Sequence, residues 1–418
     1  MSESKPDVLI LGAGVIGLSC AWYLLQQGRS VTLLERATAG AGASHGNCGT
    51  LTPSHAAPLA MPGMPAKALR MMWQRDAPFH VAPRPDLELL GWMLRFAGRC
   101  NWTDFHAANR AKAAILTHSR ALIGDLVERE ALDCGYAANG TLYVFREQRA
   151  LDEFAWHAQS LREVGVAVQE RSKAQLHAAE PCLLDSVIGG IFHPGDAQLR
   201  PDRYVAELAR LVRAAGGVIV EQCEVQDFLV EGERIAGLKT RHGTHRAAEV
   251  VLALGAWSPQ LGRRLGLRIP LQPGKGYSIT YTRPALCNRI PLVLKEDSVC
   301  VTAWDDGYRL GSTMEFAGYD TRLNRLRLDA LRRGAARYLH EPEGPQLLEE
   351  WYGWRPMTWD DMPILGRSAR WKNLSLATGH GMLGVSMSLA SGQLLAELLA
   401  GGSTTLDPRP FSPQRFRL

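Results

Sequence analysis

Three glycines and a glutamate near the start of the chain have the types and spacing to do chemistry. Gly12, Gly14 and Gly17 form a G-x-G-x-x-G pattern, and Glu35 follows eighteen residues after the last of them. Gly12 allows a tight turn, Gly14 lets backbone approach a pyrophosphate, and Gly17 lets a helix pack closely on a strand. An acid at that distance accepts hydrogen bonds from an adenosine ribose. The other candidates stand more alone. Arg355 carries a planar fork able to hold both oxygens of a carboxylate, Tyr277 carries a hydroxyl, and His55 and His380 titrate near neutral pH. Judged by its neighbours only, Arg355 reads first as a surface ion-pair residue beside Asp360 and Asp361.

Those glycines need a strand before them and a helix after. Asp7 to Leu11 reads as a buried parallel strand, Val15 to Gln27 as the helix, and "GRSVTLLER" as a turn and a second strand ending on Glu35. Val15 and Ile16 open the first helical turn, whose unpaired N–H groups and positive dipole end would face the phosphates. Strand, glycines, helix, strand and acid within one unit predict a dinucleotide site.

Three later segments choose the dinucleotide. "ATAGAGASHGNCGTLTP" is small and polar, able to lie along a long ligand where a nicotinamide domain would carry another regular crossover. "GGVIVEQCEVQDF" and "AAEVVLALGAWS" supply two more strands, the second ending in a turn at Gly255. "NLSLATGHGMLGVSMSLASGQLLAELLAG" reads as a strand, the turn His380, Gly381, Met382, Leu383 and Gly384, and a long helix from about Val385. That helix start is a second anion site, suited to the negative charge of a reduced flavin.

With "LGAGVIGLSCAWYL", "GNCGTLTPSHAAPLAMPG", "KGYSIT", "GWRPMTWDDMPILG" and "TGHGMLGVSMSLASGQLL" in this order, the chain resembles the bacterial D-amino acid dehydrogenases of the D-amino-acid oxidase, glycine oxidase and sarcosine oxidase group. The resemblance extends over nearly the whole chain. It implies an α/β fold, α+β overall, with a Rossmann-like FAD domain and a second, mostly antiparallel sheet domain for substrate. It implies FAD contacts at Gly12, Gly14, Gly17, Glu35, Arg36, Ser44, Asn47, Gly49, Val225 and the turn from His380 to Gly384. It places Arg355 and Tyr277 as the clamp on a substrate carboxylate. The implied reaction is hydride transfer from the Cα of a D-amino acid to flavin N5. The product is an imine, which becomes a keto acid, or stays cyclic for D-proline or D-hydroxyproline types. Electrons would pass to a quinone or other partner acceptor, with an oxygen-using oxidase or an electron-transfer subunit as alternatives.

Such chemistry needs orientation more than a strong base, so His380 is expected to order backbone rather than take a proton. His55 stands where related sequences more often carry tyrosine. Near the pocket mouth it would suit a hydroxylated substrate; on a loop it would touch nothing.

The expected domains are discontinuous: residues 1–75, 198–266 and 353–418 for FAD, 76–197 and 267–352 for substrate. "GTLYVF", "SVIGGIFHPGD", "GYSITYTRP" and "GYRLGSTME" read as strands of the second domain, with helices at Leu151 to Val164 and Thr321 to Leu339. Leu69, Met72 and Trp73 share one helical face beside Lys67 and Arg70. Core packing is the first reading, and docking of a lid, a partner subunit or a membrane surface is the second.

At 418 residues and 46% apolar composition, the chain can build two cores. A net charge of +5 without a basic block points away from nucleic acid. Eight scattered cysteines without C-x-x-C predict reduced thiols and no metal site. His242 and His245 belong to a hairpin tip. The uncharged run Val8 to Leu25 is interrupted by glycines and lacks a cleavage site, so the expected location is cytoplasmic, with at most peripheral contact at the inner membrane face. The oligomeric state is left open.

Overall fold

In the computed structural model, which describes residues 6–72 and 79–418, the opening segment folds as its spacing dictates. The strand Val8–Leu11 is wholly buried and passes through Gly12 into the helix Val15–Gln26. Gly12 has φ +98°, and a Cβ there would lie 2.7 Å from the Ala253 carbonyl oxygen. A Cβ on Gly17 would strike the Gly12 carbonyl, so helix and strand meet at glycine.

Six strands form the first sheet, in the order Ile364–Arg367, Leu374–Thr378, Glu249–Leu252, Val8–Leu11, Val31–Leu34, Val218–Val220. All neighbours run parallel except the first pair. Side chains alternate between two buried faces, as expected of a covered parallel sheet. Val8 and Ile10 pack with Leu18, Leu33, Leu208 and Leu394 under helices. Leu9 and Leu11 pack with Phe228 and Leu238 of a three-stranded sheet, Val225–Glu231, Arg234–Thr240 and Gly243–His245. The second hairpin of that sheet turns through Arg241 and His242.

A nine-stranded sheet forms the second layer. Its order is Leu347–Thr358, Leu271–Tyr281, Gly307–Phe316, Val299–Trp304, Leu292–Leu294, Thr141–Phe145, Gly189–His193, Gln169–Ser172, with Phe79–Val81 paired beside Gly307–Phe316. Two pairings are parallel and the rest antiparallel. The helix Arg325–Ala336 covers one face through Leu328, Leu331 and Ala335.

Four expectations change. A division at residue 353 would cut the strand Leu347–Thr358, which pairs with Leu271–Tyr281 on both sides of that point. The helix Trp102–Arg129, expected in the substrate domain, buries Ile115, Leu116, Ile123 and Leu126 in the core of the first sheet. The last long helix begins at Ser388, not near Val385, because residues 381–387 form turns. Leu69, read first as core, is 62% exposed, because the helix Met64–Met72 forms part of a cavity wall. Trp73 lies outside the described residues. Among the described residues no helix is long and apolar enough to cross a membrane.

Candidate active site

Residues of both sheets and of the loops between them line one cavity of about 1580 Å³. That exceeds the roughly 300–1,000 Å³ of an ordinary small-ligand pocket and leaves room for a dinucleotide together with a second ligand. Gly12, Gly14, Val15, Ile16, Glu35, Arg36, Ser44, Asn47, Val225, Gly255 and the turn His380 to Gly384 all face it.

The residues present fit a dinucleotide. The cap residue Gly14 offers no side chain to the start of the helix Val15–Gln26, and of its first amides that of Val15 donates to Ser44 Oγ at 3.3 Å, so the helix start opens to a ligand beside Ser44. Around Gly14 the nearest atom to a built Cβ is Ser44 Oγ at 3.8 Å, leaving backbone open to the cavity. Glu35 is fixed at the end of its strand, where its carboxylate accepts hydrogen bonds from the Ala13 and Ala37 amides at 2.9 and 3.0 Å. The Arg36 guanidinium lies 4.0 Å over the Trp257 ring, making a flat slab beside Val225. Arg309, almost wholly buried, donates to the carbonyls of His45 and Asn47 at 3.1 and 2.8 Å and so ties the small-residue loop to the second sheet.

Two expected contacts have other duties. Gly17 is the helix-packing glycine and does not line the cavity. Neither does Gly49: with φ +74° it makes a turn closed by its amide on Asn47 Oδ1 at 2.7 Å, and a Cβ there would lie 2.9 Å from the Trp304 ring.

His380 binds Ser391 Oγ at 3.0 Å, and burial pushes its pKa down to about 3. It is therefore neutral at physiological pH and links the turn to the helix Ser388–Ala400. The next residue, Gly381, donates its amide to Pro356 O at 3.1 Å, joining this turn to the strand that carries Arg355.

Arg355 is not a surface ion-pair residue. Asp360 pairs with Arg415 at 2.8 Å and Asp361 with Lys112 at 2.5 Å. The Arg355 guanidinium faces the cavity, donates to the carbonyls of Ser312, at 3.3 Å, and Thr313, and makes no ion pair among the described residues. Burial draws its pKa below the usual arginine value, but a guanidinium keeps its charge. Its seat comes from two irregularities. At Gly276 a Cβ would run into the Arg355 guanidinium, so the missing side chain there leaves its place open, while Gly353, directly opposite in the pairing, makes room for the Trp351 ring. On the neighbouring strand a bulge puts an extra residue between Ser312 and Glu315, with φ +138° at Ser312 and +55° at Thr313. Such backbone costs on the order of 1–3 kcal/mol per residue and collects at functional sites.

Tyr277 lines the cavity but has committed its proton: its hydroxyl donates to Glu315, whose other oxygen accepts from Asn324 Nδ2 at 2.9 Å. Burial, then Glu315, pushes its pKa upward. His55 also faces the cavity, with Nε2 3.2 Å from the Tyr143 hydroxyl, and burial pushes its pKa down to about 3.

Sequence reasoning missed Tyr352, Lys295, Cys48 and Cys300, all on the cavity wall. Tyr143, Val293, Cys300 and Gly311 are consecutive partners across four strands, a row visible only once the pairing is known.

Residues 7–398 match a family model described as FAD dependent oxidoreductase. A D-amino acid dehydrogenase of Granulibacter bethesdensis is 34% identical, the match covering 98% of this chain and 99% of that protein. The crystal structure of glycine oxidase from Geobacillus kaustophilus superposes with a TM-score of 0.79 at 26% identity, covering 98% of each chain. L-proline dehydrogenase from P. horikoshii shares the fold, with a TM-score of 0.77 at 20% identity over 99% of this chain and 98% of that one.

Proposed function

Because this chain belongs to that family of FAD-dependent oxidoreductases, we propose that its substrate is a D-amino acid, oxidised at Cα, with the electrons delivered to a non-oxygen acceptor such as a quinone. The observation that carries the substrate class is Arg355: a half-buried guanidinium facing the cavity without a carboxylate partner among the described residues. A cation partly withdrawn from water without a counter-charge is costly, and a substrate carboxylate supplies one. The activity named for the Granulibacter relative supports the D configuration and the dehydrogenase class.

FAD, when bound, supplies the acceptor for the hydride. The protein's part is to bind, orient and exclude water. Arg355 takes the α-carboxylate with the N–H groups not engaged by Ser312 and Thr313. Tyr277 gives its proton to Glu315 and so leaves the carboxylate to Arg355. With their pKa pushed down to about 3, His55 and His380 are too weakly basic to take a proton from an ammonium group, and the substrate reacts as the free amine. The product is an imine, which hydrolyses to a keto acid, or stays closed when the substrate is a D-proline type.

Anaerobic mixing of the holoenzyme with D- and L-amino acids, glycine, sarcosine and D-prolines tests this through loss of the visible flavin band. Arg355→Lys should lower kcat/KM on the best substrate by about 10²-fold, because a point charge replaces a two-pronged donor. Unchanged kcat and KM would remove Arg355 from the clamp. The likeness to glycine oxidase favours a second reading, an oxygen-using oxidase, and peroxide formed during aerobic turnover would select it.

A further inference from the structure

Arg355 is not the only cation on the cavity wall that has no carboxylate partner among the described residues. Lys295 follows the strand Leu292–Leu294, and its ammonium lies over the rings of Tyr143 and Phe154, 5.1 and 4.7 Å from their centres. Its acidic neighbour Glu296 is engaged elsewhere: one oxygen accepts from the Arg146 and Glu147 amides at 2.8 and 3.0 Å, and the other accepts from the Tyr338 hydroxyl. Asp196, behind His55, is held by Ser54 at 2.6 Å. The imidazoles around Lys295 bring no charge, since burial pushes His55 and His157 down to about 3 and His193 to about 4. A further positive charge acts on Lys295: Lys67 lines the same cavity from the helix Met64–Met72. Burial and Lys67 pull the Lys295 pKa down to about 8, which leaves it mostly protonated at neutral pH. Ring faces offset only part of what burying an ammonium costs.

The two cations flank Cys300, which lies within electrostatic reach of both. The guanidinium rests on the strand Gly307–Phe316 and Lys295 ends Leu292–Leu294, with Val299–Trp304 between them. Two inter-strand steps amount to about 10 Å. That is the separation of the backbones, and the Lys295 side chain extends it on the side of Tyr143, so a substrate with a carboxylate at each end offers one to each cation.

Resting on the amino-acid reading above, we propose that the substrate is a dicarboxylic D-amino acid, with its α-carboxylate on Arg355 and its side-chain carboxylate on Lys295. Lys295 is then the residue that sets specificity, and the product is the imine of a 2-oxo diacid.

The test compares the rate and half-saturation of anaerobic flavin reduction in holoenzyme for D-aspartate and D-glutamate, their amides, D-alanine and D-proline. The diacids should be preferred over their amides by about 10²-fold in wild type. Lys295→Met should lower the diacid value by about 10²-fold, mainly through half-saturation, while D-alanine changes by less than about threefold. If Lys295→Met does not retain flavin, Lys295→Gln is read by the same ratio. Faster reduction by D-alanine or D-proline than by either diacid, or an equal loss on all substrates in the variant, overturns the inference while the amino-acid reading stands. Failure of every amino acid to bleach wild type overturns both.

Discussion

Adding one methyl group at Gly276 should disarm Arg355 without touching it chemically. Gly276 lies mid-strand opposite Gly353, and the three atoms nearest to a Cβ built there all belong to the Arg355 guanidinium, with Nη1 at 2.6 Å. Ordinary carbon contacts begin near about 3.5 Å, so the guanidinium must retreat by about 1 Å. The backbone at Gly276 is not in the left-handed region, so alanine brings no main-chain strain. A misplacement of about 1 Å in a positioning group costs about 10²-fold in rate, or about 2.7 kcal/mol. The retreat also loosens the hydrogen bonds to Ser312 and Thr313. Anaerobic flavin reduction on the best substrate would read the loss in Gly276→Ala. Repeating the substitution in an Arg355→Ala background closes a double-mutant cycle, and there the methyl group should cost nothing, because what it collides with is gone. In the Arg355→Ala background thermal stability should stay level or rise slightly, since Gly→Ala reduces the freedom of the unfolded chain. An equal loss of rate in both backgrounds, or no loss in the first, would refute the idea that Gly276 seats the guanidinium.

Gly14→Val should purify without colour, because the branched side chain would project into the cavity where the helix start meets the cofactor; a yellow, fully active variant would contradict the cradle. Asp196 gives a pH prediction. Burial pushes its pKa up to about 7 against the pull of the Ser54 hydrogen bonds. A carboxyl whose folded pKa exceeds its unfolded value contributes stability fully below about pH 4, and that contribution is lost as pH rises through about 7. An asparagine side chain does not titrate, so the Tm of wild type relative to Asp196→Asn should fall between about pH 5 and about pH 8. A difference that stays flat over that range would show that Asp196 is not buried as an acid.

The nucleotide half of the site was legible because its logic is local. Gly12, Gly14, Gly17 and Glu35 act through one strand, one helix and the next strand, and period-two and helical patterns expose each. His380 was expected to order backbone; its imidazole bonds the Ser391 hydroxyl, on a helix close in the chain. Legibility failed where position depends on pairing between distant strands. Asp360 and Asp361 looked like partners for Arg355 by proximity, yet Arg415 and Lys112 take them, from 55 and 249 residues away. Lys295 carries no motif and becomes a site residue only when its strand lies beside Thr141–Phe145. Gly49 was expected as a cofactor contact from the family resemblance, but the need for glycine there comes from Leu199 and Trp304 packed behind it. The boundary at 353 failed because a strand has no compositional edge where it passes from one duty to another.

The bulge at Ser312 and Thr313 has an evolutionary consequence. Arg355 is gripped by main-chain carbonyl oxygens, and every residue type has one. Drift at 312 and 313 therefore leaves the grip intact, provided the new residues tolerate positive φ. Substitutions elsewhere around the pocket can accumulate without endangering the seat of the guanidinium. A scaffold arranged this way can change its substrate while keeping its reaction, and the wall around Lys295 and His55 is where such change would be recorded.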